Sequence, residues 1–516
     1  MMKLKQGLRF LRHCGTVGPG EALRRYREQQ DDVRIRKALD RACSLTPQER
    51  KTQEKAARDG EIRFRPVFLR KEVPESARAE ALRSLQEQTW PAADNEAYES
   101  GDYTVFLEPD GFLHPGALYE CAKAIQKTGA EMLYADEDYF IRMPGDLSAP
   151  YFKPDYGVDS LRGCNTAGPF LVCRTGLLKE TGLENFAEMD EDSRWDATLL
   201  LSGKANRVYH VPEILYYRRV PSEAEIPRPK TRRVNDPIVD EPLVSILIPN
   251  KDHREDLKRC VDSILTKSTY SNYEIIIIEN NSTEEETFRY YDELKKEPLI
   301  RVISYAGAFN YSAVNNYGFR EAKGEQILLL NNDTEVISGD WIQEMLMYAQ
   351  RPDVGAVGAK LYYPDGTIQH AGIGIGIAIV AGHYHRGFPG DSEGYFGRLC
   401  YAQNVSAVTA ACMMISRRVY EEMNGLDEEY SIVFNDIDLC LRIREAGYLI
   451  VWTPWAELTH YESKSRGPEL VTREKKRFFV KETNRFLRKW HSVLKAGDPY
   501  YNINLTRHRE DFSPRG

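Results

Sequence analysis

The stretch Gln326-Ile-Leu-Leu-Leu-Asn-Asn-Asp333 decides the fold prediction for this chain. Its unbroken apolar run is typical of a buried strand, and it ends abruptly in two asparagines and an aspartate. In an open α/β sheet, ligands bind at the carboxyl ends of the strands. A carboxylate at such an end is well placed to hold a hard divalent cation against nucleotide phosphates. The alternative is that Asn-Asn-Asp-Thr only forms a polar turn before the next helix.

Four further segments accompany this stretch in a defined order. Val244-Ser-Ile-Leu-Ile-Pro-Asn250 and Glu274-Ile-Ile-Ile-Ile-Glu-Asn-Asn-Ser-Thr283 lie upstream. Phe434-Asn-Asp-Ile-Asp438 and Leu458-Thr-His-Tyr-Glu462 lie downstream. Together the set resembles glycosyltransferase family 2, the inverting sugar transferases of the GT-A fold, over roughly residues 242–467. The resemblance implies an α/β fold with a Rossmann-like, mostly parallel sheet and helices on both faces.

Length and composition limit the class of protein. The chain has 516 residues, 42% of them apolar, and can bury more than one core. Its sequence has no apolar run of the roughly 18–20 residues that cross a bilayer, and no sustained apolar segment of a secretory signal follows the basic N-terminus. The nine cysteines form no Cys-x-x-Cys pair, so neither a zinc site nor a disulfide framework is predicted. We expect a cytoplasmic protein.

Charge is unevenly distributed along the chain. The net charge is −8, yet residues 1–58 are rich in Lys and Arg, so the remainder is acidic. An acidic body argues against nucleic acid as a partner. The basic leader has two interpretations: peripheral association with the anionic inner membrane surface, or a solvated helical hairpin packed on the body. Within it, Thr46-Pro-Gln-Glu49 predicts a helix that begins with a capping box.

An internal similarity predicts the domain order. Residues 101–120 align with 324–343, which places Asp110 on Asp333. The first copy is much shorter in the part that corresponds to residues 271–323, so we interpret it as a truncated, degenerate GT-A-like copy that has lost its nucleoside pocket. Five prolines among charges are typical of an extended linker. The predicted domains are a basic helical leader, the degenerate copy, the linker, the catalytic domain and a helical tail, over residues 1–60, 61–218, 219–243, 244–467 and 468–516.

Sugar transfer from a nucleotide diphosphate requires that the nucleoside be held. By the resemblance, Glu279 takes a position that is usually Asp and that hydrogen-bonds the base or ribose; alternatively, it caps the turn that follows. In the helix of the donor loop, Asn315 replaces an Arg that often contacts phosphate. The sugar donor is expected to be UDP- or dTDP-linked. The residues predicted to bind it are Pro249, Asn250, Glu279, Asn281, Asn310, Asn316 and Asn332.

The transfer also requires that the departing diphosphate be neutralised. Asp333 is the last residue of the family's Asp-x-Asp element, whose first Asp is Asn331 here. His460, in the loop expected after strand Leu449–Thr453, stands where the family often places a second metal ligand. The resemblance implies that Asp333 and His460 bind a divalent cation, manganese or magnesium, and a histidine ligand suits manganese somewhat better.

Finally, the acceptor hydroxyl must lose a proton as it attacks. The family's Glu-Asp pair becomes Asn435-Asp436 here, and its Asp serves as the general base. Asp436 is therefore the predicted catalytic residue, placed at a helix N-terminus that favours its ionised form. The alternative is that Asp436 only caps the helix while Asp438, or neither residue, does the chemistry. In-line displacement with a separate base inverts the anomeric centre.

Two functions from different classes follow from these residues. The first is a metal-dependent, inverting hexosyl- or deoxyhexosyltransferase that extends a glycan, expected to be lipid-linked, in O-antigen or other surface polysaccharide synthesis. The second is a catalytically inactive glycan-binding or scaffold subunit of such an assembly. Retention of Asp333, Asp436 and His460 favours the first. A nucleotidyltransferase would need a Gly-rich phosphate loop, and Pro249-Asn-Lys-Asp-His253 has no glycine.

Overall fold

The computed structural model describes residues 44–92, 102–142, 144, 147, 149–378, 380–461 and 473–515. Most of the basic leader, and with it the expectation of a membrane-binding segment, lies outside the described residues. The predicted capping box is confirmed: the Thr46 hydroxyl accepts from the Glu49 amide at 3.2 Å, and the Glu49 carboxylate accepts from the Thr46 amide at 2.8 Å. Within the described ranges we find no helix whose length and apolar content would suit a membrane span.

A mixed sheet, called the first sheet below, spans residues 64–219. Its strands are β1 (Phe64–Phe68), β2 (Tyr103–Leu107), β3 (Phe112–Leu113), β4 (Met132–Phe140), β5 (Leu171–Arg174) and β6 (Val208–Arg219). They lie in the order β1-β2-β5-β4-β6-β3, with β1/β2 and β4/β6 parallel and the other pairs antiparallel. The helices of this part are α1 (Pro47–Arg58), α2 (Glu75–Gln86), α3 (Ala117–Thr128), α4 (Val158–Gly163), α5 (Thr175–Thr181) and α6 (Glu191–Lys204).

A larger mixed sheet, the second sheet, spans residues 244–460. Its main strands are β7 (Val244–Asn250), β8 (Tyr273–Glu279), β9 (Ile300–Ser304), β10 (Gln326–Leu330), β11 (Thr334–Val336), β12 (Val354–Tyr362), β17 (Cys412–Ser416) and β18 (Leu449–His460). Short strands β13 (Ile368–His370) and β16 (Gln403–Asn404) flank β12 and β18, and β14 (Ile373–Ile375) pairs with β15 (Ala381–His383). The main order is β11-β18-β12-β17-β10-β7-β8-β9.

Helices cover the second sheet and continue into the tail. They are α7 (Arg254–Lys267), α8 (Glu285–Leu294), α9 (Tyr311–Glu321), α10 (Trp341–Ala349), α11 (Arg417–Glu422), α12 (Asn435–Glu445), α13 (Arg473–Lys489) and α14 (His491–Ala496). In β8, Ile275 and Ile277 pack into the core on one face while Ile276 and Ile278 pack into the core on the other. A strand with two buried faces needs apolar residues without alternation, so the predicted α/β class is confirmed.

Six strands of the second sheet repeat the arrangement of the first. The order β7-β10-β17-β12-β18-β11 has the same succession of parallel and antiparallel pairs as β1-β2-β5-β4-β6-β3. The second sheet continues past β7 with β8 and β9, whereas beyond β1 the described residues of the first sheet contribute one isolated parallel bridge, from Phe64 to Ala92. Ala92 pairs with Phe64 as Tyr273 of β8 pairs with Val244 of β7, and residues 93–101, which follow it, lie outside the described residues.

The C-terminal tail packs against both sheets. Asn502 donates from Nδ2 to Asp136 Oδ2 at 2.9 Å and to the Lys153 carbonyl at 2.9 Å, both in the first part of the chain. The Asp498 carboxylate accepts from the Ile375 amide at 2.6 Å, and Glu510 accepts from the His383 amide at 2.8 Å. The tail thus connects the two halves through buried polar contacts.

His210 lies buried between two carboxylates of the first sheet. Its Nε2 is 2.8 Å from Asp136 Oδ1, and its Nδ1 is 3.0 Å from Asp155 Oδ1. Burial by itself lowers the pKa of His210, but the attraction and hydrogen bonds of Asp136 and Asp155 outweigh burial and raise the pKa to about 9. The native state therefore holds a proton that the unfolded chain releases near pH 6.5.

We expect the free energy of unfolding to fall by about 1–3 kcal/mol as the pH rises from 6.5 to 9. The contribution of a raised pKa is complete below the unfolded value and is lost as the pH passes through the folded value. Urea denaturation of the wild type and of His210→Gln at pH 6 and pH 9 measures it. The variant serves as the control and should show a smaller pH dependence; equal losses in both proteins would contradict the assignment.

Candidate active site

The carboxyl ends of β7, β8 and β10 lie side by side at one edge of the second sheet. Asn250 at the end of β7 pairs in register with Glu279 at the end of β8. Asn332, two residues beyond β10, donates from Nδ2 to Asn250 Oδ1 at 2.6 Å. Asp333 follows directly and is 5% exposed. The structure thus brings together the residues that the strand-end argument placed at this edge.

His460 reaches the same edge from β18. The sequence predicted that it lies in a loop, but β18 continues through His460, which pairs in register with Thr334 of β11. Its Nε2 lies 3.1 Å from Asp333 Oδ1 and 3.2 Å from Asn331 Nδ2. A strand fixes the direction of a side chain more firmly than a loop does, so the imidazole is held against the carboxylate.

Gln369 fixes the protonation of this imidazole. The Gln369 amide donates from Nε2 to the carbonyl of His460 at 3.2 Å, so its Oε1 faces the ring and accepts from His460 Nδ1 at 2.6 Å. With the proton on Nδ1, a neutral ring would present the lone pair of Nε2 next to Asp333. A histidine whose other nitrogen donates to an amide or carboxylate oxygen is the usual arrangement of a metal ligand.

The pair Asp333 and His460 fits one divalent cation. Bonds of about 2.1 Å at right angles place two ligand atoms roughly 3 Å apart, and the carboxylate oxygen and Nε2 are 3.1 Å apart. Among the residues that the structure describes, no group of three or more His, Cys, Asp or Glu side chains converges on one point. A cation here would therefore need water or diphosphate oxygens to complete its coordination.

Asp436 is connected to this edge through hydrogen bonds. Its Oδ2 accepts from the Ala410 amide at 3.2 Å, in the loop that leads into β17. Tyr311 donates its hydroxyl to the Ala410 carbonyl at 3.0 Å and lies 3.3 Å from Asn331 Oδ1. Because β17 runs antiparallel to β10, the start of β17 lies beside the end of β10. Asp436 therefore lies on the same side of the sheet edge as Asn331 and His460.

Asp438, the alternative base, is occupied by structural partners. It is 0% exposed and accepts from Arg442 Nε at 2.8 Å, Lys489 Nζ at 2.7 Å and the Trp490 indole at 2.9 Å. A fully buried carboxylate whose oxygens are taken by two cations and an indole is not accessible to an acceptor hydroxyl. Asp436, two residues earlier in α12, is partly exposed. It is therefore the better candidate for the base.

Glu482 of α13 organises the loop that precedes Asp436. Its carboxylate accepts from the Ser431 amide at 2.8 Å, the Ser431 hydroxyl at 2.6 Å and the Val433 amide at 2.9 Å. Phe434, which follows this loop, has φ +63°, a left-handed conformation that is unfavourable for a bulky residue. The Glu482 contacts thus stabilise a strained entry into α12, and this entry sets the position of Asp436.

Glu482→Ala should speed amide hydrogen exchange in residues 431–437 by about tenfold to a hundredfold. The variant leaves buried amides without an acceptor, at a cost of about 1–3 kcal/mol each. Exchange followed by mass spectrometry measures the change. Asn484→Ala, at an exposed position of the same helix, is the matched control and should leave the exchange unchanged. Unaltered protection in Glu482→Ala would show that other contacts hold the loop.

The structure gives several predicted sugar-donor residues internal partners. Asn316 accepts from the Tyr420 hydroxyl at 2.8 Å and the Leu426 amide at 3.0 Å, and its Nδ2 donates to the Leu426 carbonyl at 2.9 Å. Asn310 caps α9 by accepting from the Ala313 amide at 3.1 Å and donates to a carbonyl at 2.8 Å. Asn310 and Asn316 thus have structural partners in this structure, and their role in binding the sugar donor stays a prediction.

The remaining sugar-donor residues stay at the strand ends. Glu279 accepts from the Ser282 amide at 2.6 Å. One of its oxygens therefore caps the turn that follows β8, which was the alternative role predicted from the sequence. Asn281 has φ +58° and donates to the Gly307 carbonyl at 2.8 Å. Pro249 pairs in register with Ile278, one step before the Asn250 and Glu279 pair. These residues border the edge that carries Asp333.

Sequence reasoning missed three positioning residues: Gln369, Tyr311 and Glu482. Each acts on a residue far away in the chain, and their local sequences carry no pattern that would have revealed it. Gln369 lies in a polar, Gly-containing segment, Asp365–Gly372, and Tyr311 lies in the segment that resembles the family's donor loop, but neither segment identifies the residue as a positioning residue.

Comparison with known proteins identifies the family of part of this chain. Residues 245–423 match the family model described as Glycosyl transferase family 2. The chain contains a family 2 glycosyltransferase domain. The predicted resemblance is confirmed for this segment, which includes Asn250, Glu279 and Asp333; Asp436 and His460 lie C-terminal to it.

Relatives of the family 2 domain extend over more of the chain. An uncharacterized protein, y4gI of Sinorhizobium fredii, is 40% identical over 469 residues, which cover 82% of this chain and 51% of that protein. The O-antigen biosynthesis protein RfbC of Myxococcus xanthus is 34% identical over 496 residues, covering 86% and 38%. A Mycobacterium tuberculosis N-acetylglucosaminyl-diphospho-decaprenol L-rhamnosyltransferase is 25% identical, covering 44% and 77%. The chain spans about half, or less, of the first two relatives.

Two solved structures are similar to part of this chain. The mannosyltransferase PcManGT from Pyrobaculum calidifontis, in complex with GDP-Man and Mn²⁺, has a TM-score of 0.34 and 14% identity, covering 46% of this chain and 61% of that one. GalNAc-T7 with UDP, GalNAc and Mn²⁺ has a TM-score of 0.36 and 16% identity, covering 43% and 44%.

Proposed function

We propose that this chain is an inverting, metal-dependent glycosyltransferase that moves a sugar from a nucleotide diphosphate to a glycan in surface polysaccharide synthesis. The observation that carries the proposal is the hydrogen-bonded edge of the second sheet. There, Asp333 Oδ1 lies 3.1 Å from His460 Nε2, and Asp436 is connected to them through Ala410, Tyr311 and Asn331. This edge belongs to a chain whose residues 245–423 match family 2.

Each of these residues has a distinct task in the proposed transfer. Asp333 and His460 Nε2 hold the cation, and Gln369 keeps the proton on His460 Nδ1. When bound, a divalent cation neutralises charge that develops on the leaving diphosphate. The strand-end residues Asn250 and Glu279 border the space for the nucleoside. Asp436 accepts the proton of the acceptor hydroxyl, and this separate base on the acceptor side gives inversion.

The first sheet is proposed to be a degenerate, non-catalytic copy of the same fold. Its six strands have the order and directions of six strands in the second sheet. Of β8 and β9, only the first residue of β8 has a described counterpart, Ala92. This supports the domain boundaries drawn from the sequence. The linker, residues 219–243, runs from the last residue of β6 to the residue before β7. A copy without the strands that border the nucleoside lacks the means to bind a sugar nucleotide tightly.

The acceptor is proposed to be a lipid-linked glycan at the cytoplasmic face of the inner membrane. The names of two relatives support this: one is an O-antigen biosynthesis protein, and the other transfers rhamnose to a decaprenol-linked sugar. The sugar donor is proposed to be UDP- or dTDP-linked and the cation manganese or magnesium. Peripheral membrane association through the basic leader is part of the same proposal.

A panel of sugar nucleotides tests the function. We expect one UDP- or dTDP-linked sugar to raise the melting temperature in the presence of Mn²⁺ and to be hydrolysed slowly without acceptor. The unfolding midpoint rises because the ligand binds only the native state. Nucleotide diphosphate release, followed by chromatography, gives the rate. If no sugar nucleotide changes the melting temperature with either cation, the inactive scaffold function replaces the transferase.

A further inference from the structure

An arginine replaces the active-site histidine at the corresponding edge of the first sheet. Phe112 of β3 pairs with Tyr217 of β6, and in the second sheet the aligned residue of β11 pairs with the residue before His460. Arg218, the residue after Tyr217, therefore takes the place of His460. A guanidinium has no lone pair to offer a metal ion, and Arg218 Nε lies 3.0 Å from Glu108 Oε2. This edge therefore does not repeat the proposed cation site of the second sheet.

An aromatic side chain from the second half of the chain packs against this edge instead. The Phe396 ring stacks on Tyr151, with centroids 4.3 Å apart and planes at 17°, and its centroid lies 6.2 Å from that of Tyr139. Tyr139 lies next to the last residue of β4 and is the register partner of Arg218. The edge that binds ligands in the second sheet thus contacts the other half of the chain in the first sheet.

Contacts with the first half hold an unfavourable turn at Phe396. Its φ is +47°, a left-handed conformation that a bulky residue rarely adopts. Gly394 and Gly397 on either side also have positive φ, +71° and +75°. The hydroxyl of the neighbouring Tyr395 donates to the Pro150 carbonyl at 2.7 Å. Such a conformation persists where the surrounding contacts impose it, so we attribute this turn to the packing of the two aromatic residues on the first half.

Asn404 attaches the same segment to the first half at a second point. Its side chain is 0% exposed. Asn404 Oδ1 accepts from the Asp159 amide at 2.9 Å, and Nδ2 donates to Asp159 Oδ2 at 2.9 Å. The Asn404 amide donates to the Ser160 hydroxyl at 3.1 Å. Asp159 and Ser160 belong to α4 of the first half, so Phe396 and Asn404 are both held by residues outside the second sheet.

The attached segment ends at the proposed base. Six residues after Asn404, the Ala410 amide donates to Asp436 Oδ2 at 3.2 Å. Between them, the Val405 amide donates to the Ile450 carbonyl of β18 at 3.0 Å. A displacement of this segment, residues 395–411, would therefore move Ala410 relative to Asp436.

We propose that the first half positions the transferase site, with Phe396 and Asn404 as positioning residues that act on Asp436 through segment 395–411. This inference rests on the proposed function, because the role of Asp436 as the base belongs to that function. A general base acts only when its carboxylate is held close to the proton that it accepts, and small displacements lower the rate strongly. The degenerate copy thus has a task that needs no nucleotide binding.

Amide hydrogen exchange of the full chain, followed by mass spectrometry, gives the first readout. Phe396→Ala should speed exchange in residues 405–411 by about tenfold, because it removes a ring that ties their segment to the first half. Phe396→Tyr keeps the ring and should exchange as the wild type does. Phe288→Ala is the matched control, since it removes a ring that is 45% exposed on α8, and it should leave residues 405–411 unchanged.

Slow hydrolysis of the sugar nucleotide that raises the melting temperature gives the second readout, with water in place of the acceptor. Phe396→Ala should lower kcat about tenfold to a hundredfold and leave KM for the sugar nucleotide unchanged, because the strand ends are not displaced. Phe396→Tyr should restore the wild-type rate. Asn404→Ala, at the second point of attachment, should also lower kcat. A loss of stability alone would not separate kcat from KM in this way.

The outcomes separate this inference from the proposed function. Unchanged exchange of residues 405–411 in Phe396→Ala, or faster exchange with a wild-type kcat, would overturn the positioning role of the first half. An equal loss of kcat in Phe396→Tyr would also contradict it, because the ring is retained there. If the wild type hydrolyses no sugar nucleotide, the transferase proposal fails, while the exchange readout still decides whether the first half holds the segment.

Discussion

Replacing Asp436 with asparagine is expected to lower the rate of sugar transfer by about 10²–10⁴-fold, the usual contribution of a general base. Asparagine keeps the size of the side chain and the acceptor for the Ala410 amide, but it has no site for the proton of the acceptor hydroxyl. Affinity for the sugar nucleotide should change little, because the proposed role of Asp436 is to act on the acceptor hydroxyl. Transfer kinetics and calorimetric titration with the sugar donor measure the two effects separately.

Asp438→Asn provides the contrasting variant for this experiment. Asp438 is buried against Arg442 and Lys489, so its neutralisation leaves Arg442 without this counter-charge and Lys489 with only Asp427. We expect mainly a lower melting temperature, because breaking a buried ion pair costs about 3–5 kcal/mol. If Asp436→Asn transfers sugar at the wild-type rate, Asp436 has no part in the chemistry.

Asp333→Asn is expected to abolish the dependence of sugar-nucleotide binding on Mn²⁺. An amide oxygen is a weaker ligand than a carboxylate, and the pair with His460 Nε2 is the cation site proposed here. Gln369→Leu should weaken Mn²⁺ binding by about 10–100-fold, since it removes the acceptor that orients the His460 ring. Titration of Mn²⁺ in the presence of nucleoside diphosphate measures both effects.

A competing explanation is that Asp333 and His460 form only an ion pair. In that case Asp333→Asn would reduce stability without altering the Mn²⁺ dependence, and Gln369→Leu would leave cation affinity unchanged. Gln343→Leu is a suitable control for the loss of an amide, because Gln343 contacts Thr269 on the outer face of the second sheet, away from His460. It should retain the Mn²⁺ affinity of the wild type.

The strand ends could be predicted because local sequence determines them. An apolar run with two buried faces followed by polar residues identifies β7, β8 and β10, and parallel strands place their carboxyl ends at one edge. This was enough to bring Asn250, Glu279, Asn332 and Asp333 together. The capping box of α1 was predicted for the same reason, since its hydrogen bonds join residues three apart.

The hydrogen-bond partners of Asn310 and Asn316 could not be predicted from the local sequence. Both lie in a segment that resembles the family's donor loop, yet their amides are used to cap a helix and to hold the turn around Leu426. A side-chain amide forms similar hydrogen bonds with a ligand or with the backbone, so its sequence context does not tell which partner it has.

The sequence by itself determined the α/β class, the strand ends and the residue types of the candidate site, because periodicity and chain order are local properties. Only the tertiary structure decided that Gln369 sets the proton on His460, that Glu482 holds the loop before Asp436, and that Arg218 takes the place of His460 in the first sheet. These relations join residues distant in the chain. They exist only after the sheets have formed, because packing and strand register bring such residues into contact.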